Sequence, residues 1–242
     1  MTEGLDKSTL ERHTGFAENI EMRTLAIGDI HGCNMALTTL LENVRATGDD
    51  QIVFLGDYID RGPASREVIE TLLHLHDSSS PIFLRGNHEV MILDSRGDRI
   101  QSHFWQSYGG EETLLSYGAL DRKDWVTMIP ASHMAFFEST ARCFETQTHI
   151  FVHGGLDPNL DMDDQPDRLL YWERFEEIRP HKSGKKIICG HTRSDEIRDI
   201  GFAICIDTGP VQDGWLTCLE ASSGKYWQAN ENGEARQGEL QS

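Results

Sequence analysis

Short apolar runs alternate with segments of helical periodicity over the first part of the chain. Each apolar run is the length of a buried β-strand: Leu25-Ala26-Ile27, Ile52-Val53-Phe54-Leu55 and Ile82-Phe83-Leu84. A helix is predicted from Cys33 to Ala46 with Asn34 as its cap, and a second helix follows Pro63. Strands that alternate with helices in this way usually pair in parallel, so the pattern predicts a βαβαβ unit.

The later part of the chain has a different pattern, in which apolar runs follow one another with few helical segments between them. The predicted strands are Ala135-Phe136-Phe137, Cys143-Phe144, Ile150-Phe151-Val152, Ile187-Ile188-Cys189, Ala203-Ile204-Cys205-Ile206 and Trp215-Leu216-Thr217-Cys218-Leu219. Strands joined by short connections often pair antiparallel. We therefore expect a second, partly antiparallel sheet here.

A segment from about residue 94 to 130 separates these two parts and carries four aromatic residues, Trp105, Tyr108, Tyr117 and Trp125. We interpret it as a helical insertion over the sheet edge, with Asp121 capping a short helix that ends by Pro130. Its aromatic side chains either face a binding site or form an ordinary buried layer. Periodicity does not decide between these two arrangements.

Length and polarity predict one folded domain with polar ends. A chain of 242 residues builds one sizeable core, and we assign that core to residues 22–230. Residues 1–21 are polar and are expected to form a loosely held leader or one extra packed turn. Residues 231–242 form a polar tail that is expected to fray.

The charge balance argues against two classes of partner. Acidic residues number 40 and basic residues 22, for a formal net charge of −18. Such a chain is repelled by nucleic acids and by anionic membranes, so we expect neither as a partner. Phosphate groups are repelled as well, and a phosphate site would therefore need local cations.

Cysteine usage and the N-terminal sequence point to the cytoplasm. The five cysteines are scattered without a Cys-x-x-Cys pair, as expected of free thiols in a reducing compartment. The chain starts without the basic and apolar segments of a signal peptide, and it has no apolar run long enough to span a bilayer.

Polar motifs with metal-binding side chains follow the first three predicted strands. They are Gly28-Asp29-Ile30-His31-Gly32, Gly56-Asp57-Tyr58-Ile59-Asp60-Arg61-Gly62 and Gly86-Asn87-His88-Glu89. The carboxyl ends of strands in an open α/β sheet line a common crevice, so these motifs are expected to converge. Aspartate, histidine and asparagine suit Mn²⁺ best here, with Fe or Zn²⁺ as alternatives.

Together with His153-Gly154-Gly155 and Gly190-His191, these motifs resemble, in order, the signature series of the phosphoprotein phosphatase family of metallophosphoesterases. The resemblance extends from about Thr24 to Gly209. It implies a calcineurin-like α/β fold, with two mixed β-sheets packed as a sandwich between helices. The chain is most similar to the small bacterial and bacteriophage serine/threonine protein phosphatases.

The resemblance also implies a pair of divalent metal ions and the residues that hold them. Asp29, His31 and Asp57 correspond to ligands of one ion, and Asp57 bridges to a second ion that is completed by Asn87, His153 and His191. The implied nucleophile is a hydroxide that bridges the two metals, placed for in-line attack on a phosphoester. Independently of the resemblance, Asp29 and His31 are expected to share a face because they lie two apart at a predicted extended strand end.

The remaining motif residues correspond to groups that act on the substrate. His88 is implied to protonate the leaving group and Asp60 to orient it. Arg61 and Asn87 are implied phosphate ligands, and Arg174 is our assignment for a second phosphate-binding arginine.

Three interpretations of function remain open at this stage. The first is a metal-dependent phosphatase that acts on a phosphoprotein or a small phosphoester. The second is a symmetrical bis(5'-nucleosyl)-tetraphosphate hydrolase built on the same motifs, with aromatic residues of the insertion stacking on a base. The third is a binding module that has kept the fold, although a binding module needs no general acid. For any single motif, the aspartates are also consistent with simple helix caps.

Overall fold

The structure is a computed structural model that describes residues 23–78, 80–120 and 123–241. The predicted leader and the proposed cap at Asp121 lie outside these residues. No helix within the described ranges is long and apolar enough to cross a membrane.

The described residues form a mixed α/β architecture. The strands are β1 (Thr24–Ile27), β2 (Gln51–Phe54), β3 (Ile82–Phe83), β4 (Phe144–Glu145), β5 (His149–Phe151), β6 (Lys186–Cys189), β7 (Arg198–Asp199), β8 (Ala203–Cys205), β9 (Leu216–Glu220), β10 (Lys225–Ala229) and β11 (Ala235–Glu239). The α-helices are α1 (Asn34–Val44), α2 (Ser65–Ser78), α3 (Asn87–Asp94), α4 (Arg99–Trp105), α5 (Glu111–Ser116), α6 (Ala131–Ser139) and α7 (Asp167–Trp172).

These strands make two mixed sheets. The first sheet has six strands in the order β11-β10-β9-β1-β2-β3, and the second has five in the order β4-β5-β6-β8-β7. Strands β1, β2 and β3 pair in parallel, as do β5, β6 and β8. The carboxyl ends of these parallel strands supply the loops that build the site described below.

The two sheets pack against each other, and helices cover their outer faces. Side chains alternate along β1, so that Ala26 joins an apolar layer between the sheets while Leu25 and Ile27 face the helices. The layer between the sheets also holds Val53 from the first sheet and Ile188 from the second. The expected calcineurin-like sandwich of two mixed sheets flanked by helices is confirmed.

Two predicted strands differ from the structure. Ala135-Phe136-Phe137 belongs to helix α6, since a short apolar run has no periodicity that separates a buried helix from a strand. The run Trp215–Leu219, predicted for the second sheet, forms most of β9 of the first sheet instead, where β9 pairs antiparallel with β1 and Leu219 lies opposite Ala26. Pairing between segments this distant in sequence is not encoded in the local pattern.

The predictions for the helix cap and the tail are also wrong in part. Asn34 lies inside α1, where its side chain accepts a hydrogen bond from Thr71, and Cys33 occupies the cap position. The tail does not simply fray, because Ala235–Glu239 forms β11 and pairs antiparallel with β10 along its length. β11 is a mostly exposed edge strand, and a polar sequence is typical of such edges.

An ion pair ties the starts of β1 and β2 and provides a first prediction. Arg23 donates from Nε and Nη2 to the two carboxylate oxygens of Asp50, at 2.8 and 2.6 Å. The hydrogen bond from Arg23 is the main cause that lowers the pKa of Asp50 from 3.8 to about 2.

We expect Asp50→Asn to lower the free energy of unfolding by about 1–2 kcal/mol at neutral pH. The pKa shift alone corresponds to about 2.5 kcal/mol, and solvent screening at the partly exposed Arg23 reduces it. Because the folded pKa is depressed, this stabilisation is present above pH 3.8 and disappears as the pH falls through about 2. Urea unfolding at pH 7 and pH 3 measures both effects. An equal difference between variant and wild type at the two pH values would contradict the assignment.

Candidate active site

The loops at the carboxyl ends of five parallel strands carry the residues of the site. Asp29 and His31 follow β1, Asp57 follows β2, and Asn87 and His88 open α3 after β3; His153 follows β5 and His191 follows β6. All of these side chains are buried except His191, which is partly exposed. The structure therefore brings ligand-type residues from both sheets into one buried cluster.

The backbone of this cluster is held in unusual conformations. In the described ranges, seven non-glycine residues have positive φ, and five of them belong to the site: His31, Asp57, Asp60, Arg61 and His191. Such strain persists where the surrounding structure fixes it, and it is concentrated at functional sites.

Two glycines make room for the aspartates. A Cβ at Gly86 would lie 2.1 Å from Asp57 Oδ1, and a Cβ at Gly190 would lie 2.0 Å from Asp29 Oδ1. Any larger residue at either position would displace a carboxylate.

Asp57 lies between two groups of potential ligands. Its Oδ2 is 3.5 Å from His31 Nε2 and 3.8 Å from His88 Nε2, and its Oδ1 is 3.4 Å from His153 Nε2. Metal-ligating atoms within 4.8 Å of one another form two sets, His31-Asp57-His88 and Asp57-His153-His191. A carboxylate shared by both sets is suited to bridge two cations.

Hydrogen bonds to backbone carbonyls orient two of the imidazoles. His31 Nδ1 donates to Ile59 O and His153 Nδ1 donates to Leu55 O, each at 2.9 Å. A backbone carbonyl only accepts hydrogen bonds, so the proton of each neutral ring lies on Nδ1. The lone pair of Nε2 then points towards the cluster. This arrangement is typical of histidine ligands of metals.

Asn87 completes the second group. Its Oδ1 lies 3.0 Å from His153 Nε2 and 2.9 Å from His191 Nδ1. Because His153 already donates from Nδ1, its neutral ring places a lone pair opposite the amide oxygen. Acceptors that converge in this way are stabilised by a cation between them.

Asp29 is the remaining predicted metal ligand in the cluster. Both of its oxygens accept from the backbone N–H of His191, at 3.2 and 3.0 Å. Asp29 and His31 do not lie at an extended strand end as predicted, because β1 stops at Ile27 and His31 has φ of 48°. A buried neighbour, Asp207, follows β8 and lies close enough to raise the pKa of Asp29 further.

The electrostatics of the cluster favour metal binding. Burial lowers the pKa of His31, His153 and His191, the last to about 4, so these rings are neutral and able to coordinate. Burial, together with Asp207 and Asp57, raises the pKa of Asp29 well above its ordinary value. Burial also raises the pKa of Asp207 to about 6. Neighbouring carboxylates out of water are unfavourable without a compensating positive charge.

The donor set therefore fits two divalent cations. It combines carboxylate and amide oxygens with imidazole nitrogens and contains no thiolate, which suits Mn²⁺, Fe or Zn²⁺. The buried Nε2 of His88 has no hydrogen-bond partner among the described residues and faces the same cluster. A buried polar atom without a partner is unfavourable, and such an atom at this place is suited to a bound ligand.

His88 and Asp60 form a closely bonded pair beside the ligand groups. His88 Nδ1 donates to Asp60 Oδ2 at 2.7 Å, and both side chains are fully buried. Burial opposes the charged imidazole, but Asp57 and the hydrogen bond to Asp60 outweigh it and raise the pKa of His88. The pair therefore favours the protonated form of His88 next to the proposed metal ligands.

Sequence reasoning missed the residues that support this arrangement. Glu89 accepts from the backbone N–H groups of Asp57, Tyr58 and Gly86, at 2.8 to 2.9 Å, and so joins two of the motif loops. Trp105 and Thr113 both bond to Asp60. The glutamate was visible as the last residue of its motif, whereas nothing in the local sequence marks the other two.

The two predicted phosphate-binding arginines lie in different surroundings. Arg61 Nη1 donates to His31 Nε2 at 2.7 Å, so the structure brings its guanidinium to the cluster. Arg174 has a side chain that is 74% exposed, and its Nε lies 3.8 Å from Glu176. None of the contacts found among the described residues connects Arg174 to the cluster.

Gly109 of the insertion contacts both the backbone and the side chain of Arg61. This contact leads to a second prediction. Its carbonyl accepts from the Arg61 N–H at 3.0 Å, its φ is 112°, and an added Cβ would lie 2.6 Å from Arg61 Cγ. We expect Gly109→Ala to displace Arg61 and to raise the KM for a phosphate ester about tenfold or more, the cost of losing a hydrogen bond to a charged group. Steady-state kinetics test this.

The control for that variant is Gly97→Ala, at a glycine with φ of 83° and no atom near an added Cβ. This control reproduces the backbone strain without the contact to Arg61. If both variants changed KM alike, the contact would have no role in substrate binding.

Known proteins similar to this chain are phosphoesterases. It is 28% identical over 218 residues to serine/threonine-protein phosphatase 1 of Salmonella typhimurium, covering 79% of this chain and 88% of the relative. It is 26% identical to an asymmetrical bis(5'-nucleosyl)-tetraphosphatase of Anoxybacillus flavithermus, covering 80% and 88%. The solved structure of a cold-active protein tyrosine phosphatase has the same fold, with a TM-score of 0.62 at 18% identity, covering 89% of this chain and 78% of that one.

The family model of the calcineurin-like phosphoesterases matches residues 22–210, which include every motif of the buried cluster. Enzymes of this family use divalent metals, and the two ligand groups around Asp57 are consistent with that use. The chain therefore belongs to the calcineurin-like phosphoesterase family and is a hydrolase of phosphoesters.

Proposed function

We propose that this protein is a phosphomonoesterase that depends on two divalent metal ions and removes phosphate from serine and threonine residues of proteins. The observation that carries the proposal is the buried His88–Asp60 pair beside two ligand groups that share Asp57. A proton donor at this place is useful when the leaving group is a poor one, as the alkoxide of serine or threonine is.

The metal ligands in this proposal come from both ligand groups. One ion would be held by Asp29, His31 and Asp57, and the other by Asp57, Asn87, His153 and His191. When bound, such a pair of ions lowers the pKa of a water molecule and offsets the charge of the phosphate. Mn²⁺ is our first choice, with Fe or Zn²⁺ as alternatives.

The chain's own side chains then bind the ester and handle the proton. Arg61 presents a planar fork of N–H donors that matches two phosphate oxygens, and Asn87 offers its amide nitrogen. We retain Arg174 as the proposed second arginine. A water molecule that has released one proton to solvent bonds through its oxygen to phosphorus, the ester P–O bond breaks, and the proton on His88 Nε2 passes to the departing oxygen. His88 then takes up a proton from solvent. Asp60 stabilises the imidazolium before transfer.

A cleft beside Arg61 favours a protein substrate over a dinucleotide. The cleft has a volume of about 520 Å³, and its lining includes Arg61, Tyr108, Glu111 and Glu112. Two carboxylates next to the phosphate site would repel the further phosphates of a dinucleoside tetraphosphate. They would instead favour a phosphopeptide with a lysine or arginine near the phosphorylated residue.

The second candidate is a bis(5'-nucleosyl)-tetraphosphate hydrolase. It is favoured by the similar Anoxybacillus enzyme and by Tyr108, a residue that lines the cleft, is 49% exposed and could stack on a base. That relative is of the asymmetrical kind, whereas the motifs alone had suggested the symmetrical kind.

A comparison of substrates separates the candidates. With Mn²⁺, we expect orthophosphate release from p-nitrophenyl phosphate and from a basic phosphoserine peptide, with kcat/KM for the peptide at least about tenfold above that for diadenosine tetraphosphate. Faster cleavage of the dinucleotide would favour the second candidate. Absence of turnover with Mn²⁺, Fe²⁺, Zn²⁺ and Co²⁺ on all three substrates would contradict both and leave a binding module.

A further inference from the structure

We propose that Trp105 and Thr113 of the insertion are positioning residues for this reaction, because they hold Asp60 in the orientation in which it aligns His88. This inference rests on the proposed function, in which His88 protonates the leaving group. Neither residue belongs to a motif. Both act through Asp60 and are not expected to touch the substrate.

The carboxylate of Asp60 is fully buried, and each of its oxygens is used. Oδ2 accepts from His88 Nδ1 at 2.7 Å and from Trp105 Nε1 at 2.8 Å, and Oδ1 accepts from Thr113 Oγ1 at 2.6 Å. A buried carboxylate is unfavourable unless such donors replace its lost hydration. The indole and the hydroxyl therefore hold the Asp60 carboxylate where it accepts from His88.

The same contacts fix the direction of the pair. Asp60 has φ of 73°, and its backbone N–H donates to the hydroxyls of Ser65 and Thr113 at 3.0 and 2.9 Å. Because the Thr113 hydroxyl accepts from the backbone of Asp60 and donates to its side chain, it sets the rotamer of the carboxylate. Oδ2 is then shared between the indole and the imidazole, so His88 Nε2 points at the ligand cluster.

The helices of the insertion place the indole of Trp105 next to Asp60. Trp105 ends α4 and Thr113 lies in α5, and the segment Gln106–Gly110, which is kinked at Gly109, joins the two helices. An added Cβ at Gly110 would lie 2.6 Å from the ring of Trp105, so the glycine lets the backbone pass closely over the indole. Trp125 packs against the same indole, with ring centroids 5.0 Å apart.

At position 105 the hydrogen-bond donor of the indole matters as well as the volume of its ring. A phenylalanine would fill most of the same fully buried space, but it has no N–H to donate to Asp60. Trp125 is also buried, yet no hydrogen bond from its indole to Asp60 is present in the described parts of the chain. The two tryptophans thus provide a matched pair, in which the same substitution removes the donor at one position and only ring volume at the other.

The test compares Trp105→Phe with Trp125→Phe on two substrates. p-Nitrophenolate leaves readily without a proton, whereas the alkoxide of a phosphoserine peptide needs one. For Trp105→Phe we expect kcat on the peptide to fall about ten- to a hundredfold, as for loss of a hydrogen bond to a charged group, with KM unchanged and p-nitrophenyl phosphate affected less than about threefold. Trp125→Phe should lower both rates equally and by little.

Thr113 provides a second pair of variants. They test the proposal even if Trp105→Phe fails to fold. Thr113→Val should reproduce the selective fall of kcat on the peptide. Thr113→Ser should keep kcat close to the wild-type value, because serine retains the hydroxyl. Equal losses on both substrates for Trp105→Phe and Thr113→Val would overturn the proposal and reduce the two residues to a packing role.

A readout without metal or turnover separates this inference from the proposed function. In the metal-free protein, the proton on His88 Nδ1 is expected as a downfield ¹H resonance that shifts or disappears in Trp105→Phe and persists in Trp125→Phe. An unchanged resonance in Trp105→Phe would contradict the positioning role. If the wild type hydrolysed neither ester while the resonance responded as expected, the proposed function would fail and the hydrogen-bonded arrangement would stand.

Discussion

Replacing Asp57 by asparagine is expected to lower turnover by about 10³-fold or more, beyond the 10- to 100-fold typical of residues that only support a metal ligand. The two oxygens of Asp57 face different ligand groups, His31 and His88 on one side and His153 on the other. Asparagine keeps the shape, but it removes the charge and replaces one acceptor with a donor. One proposed metal site then loses its ligand atom, and the other keeps only a neutral amide oxygen.

Metal content measured by mass spectrometry after gel filtration checks this expectation together with the kinetics. We expect two Mn²⁺ per chain in the wild type and one or none in Asp57→Asn. The control is Asp213→Asn, which makes the same substitution at an exposed residue with a similar φ, 59° against 53° for Asp57. Full metal content with turnover within tenfold of wild type in Asp57→Asn would remove Asp57 from the bridging role.

The second large effect is expected for His88→Asn, with a loss of turnover on a phosphoserine peptide of about 10²- to 10⁴-fold, the usual range for general acid–base catalysis. The imidazole is fully buried and bonded to Asp60, and its other nitrogen has no partner in the described residues. The variant removes the proton donor and leaves the proposed metal ligands in place. Metal content should therefore stay at two ions per chain.

Comparison with p-nitrophenyl phosphate distinguishes proton donation from other roles of His88. The loss should be smaller on this substrate, because its leaving group needs little protonation. His74→Asn, at an exposed position of α2, is the control for the substitution itself. A loss of both ions in His88→Asn, or an equal loss of rate on both substrates, would show that His88 acts as a ligand and not as an acid.

Much of the fold follows from local sequence patterns. β1, β2 and β3 are short apolar runs separated by helical periodicity, so both their type and their parallel pairing were predictable. The pairing of β9 with β1 and of β11 with β10 was not, because register between distant segments is decided by packing in three dimensions. The helix at Phe136 and Phe137 was missed for a related reason, since a short run buried on all sides is ambiguous.

The candidate site was likewise predictable from the sequence in some residues and not in others. The motif residues were found because aspartate, histidine and asparagine directly after buried strands have few roles other than caps and ligands. The contacts of Trp105 and Thr113 with Asp60 span 45 and 53 residues, and no spacing rule connects such positions. The insertion was expected either to face the site or to pack as a buried layer. Trp105 belongs to the buried layer, since it is fully buried, and its link to the site is the hydrogen bond to Asp60.

Anomalous diffraction from crystals soaked in Mn²⁺ tests the central claim most directly. We expect two manganese peaks, one on each side of the Asp57 carboxylate, with His31 and Asp29 at one and Asn87, His153 and His191 at the other. A map without peaks at Asp57, or with manganese bound only to surface carboxylates, would contradict the account.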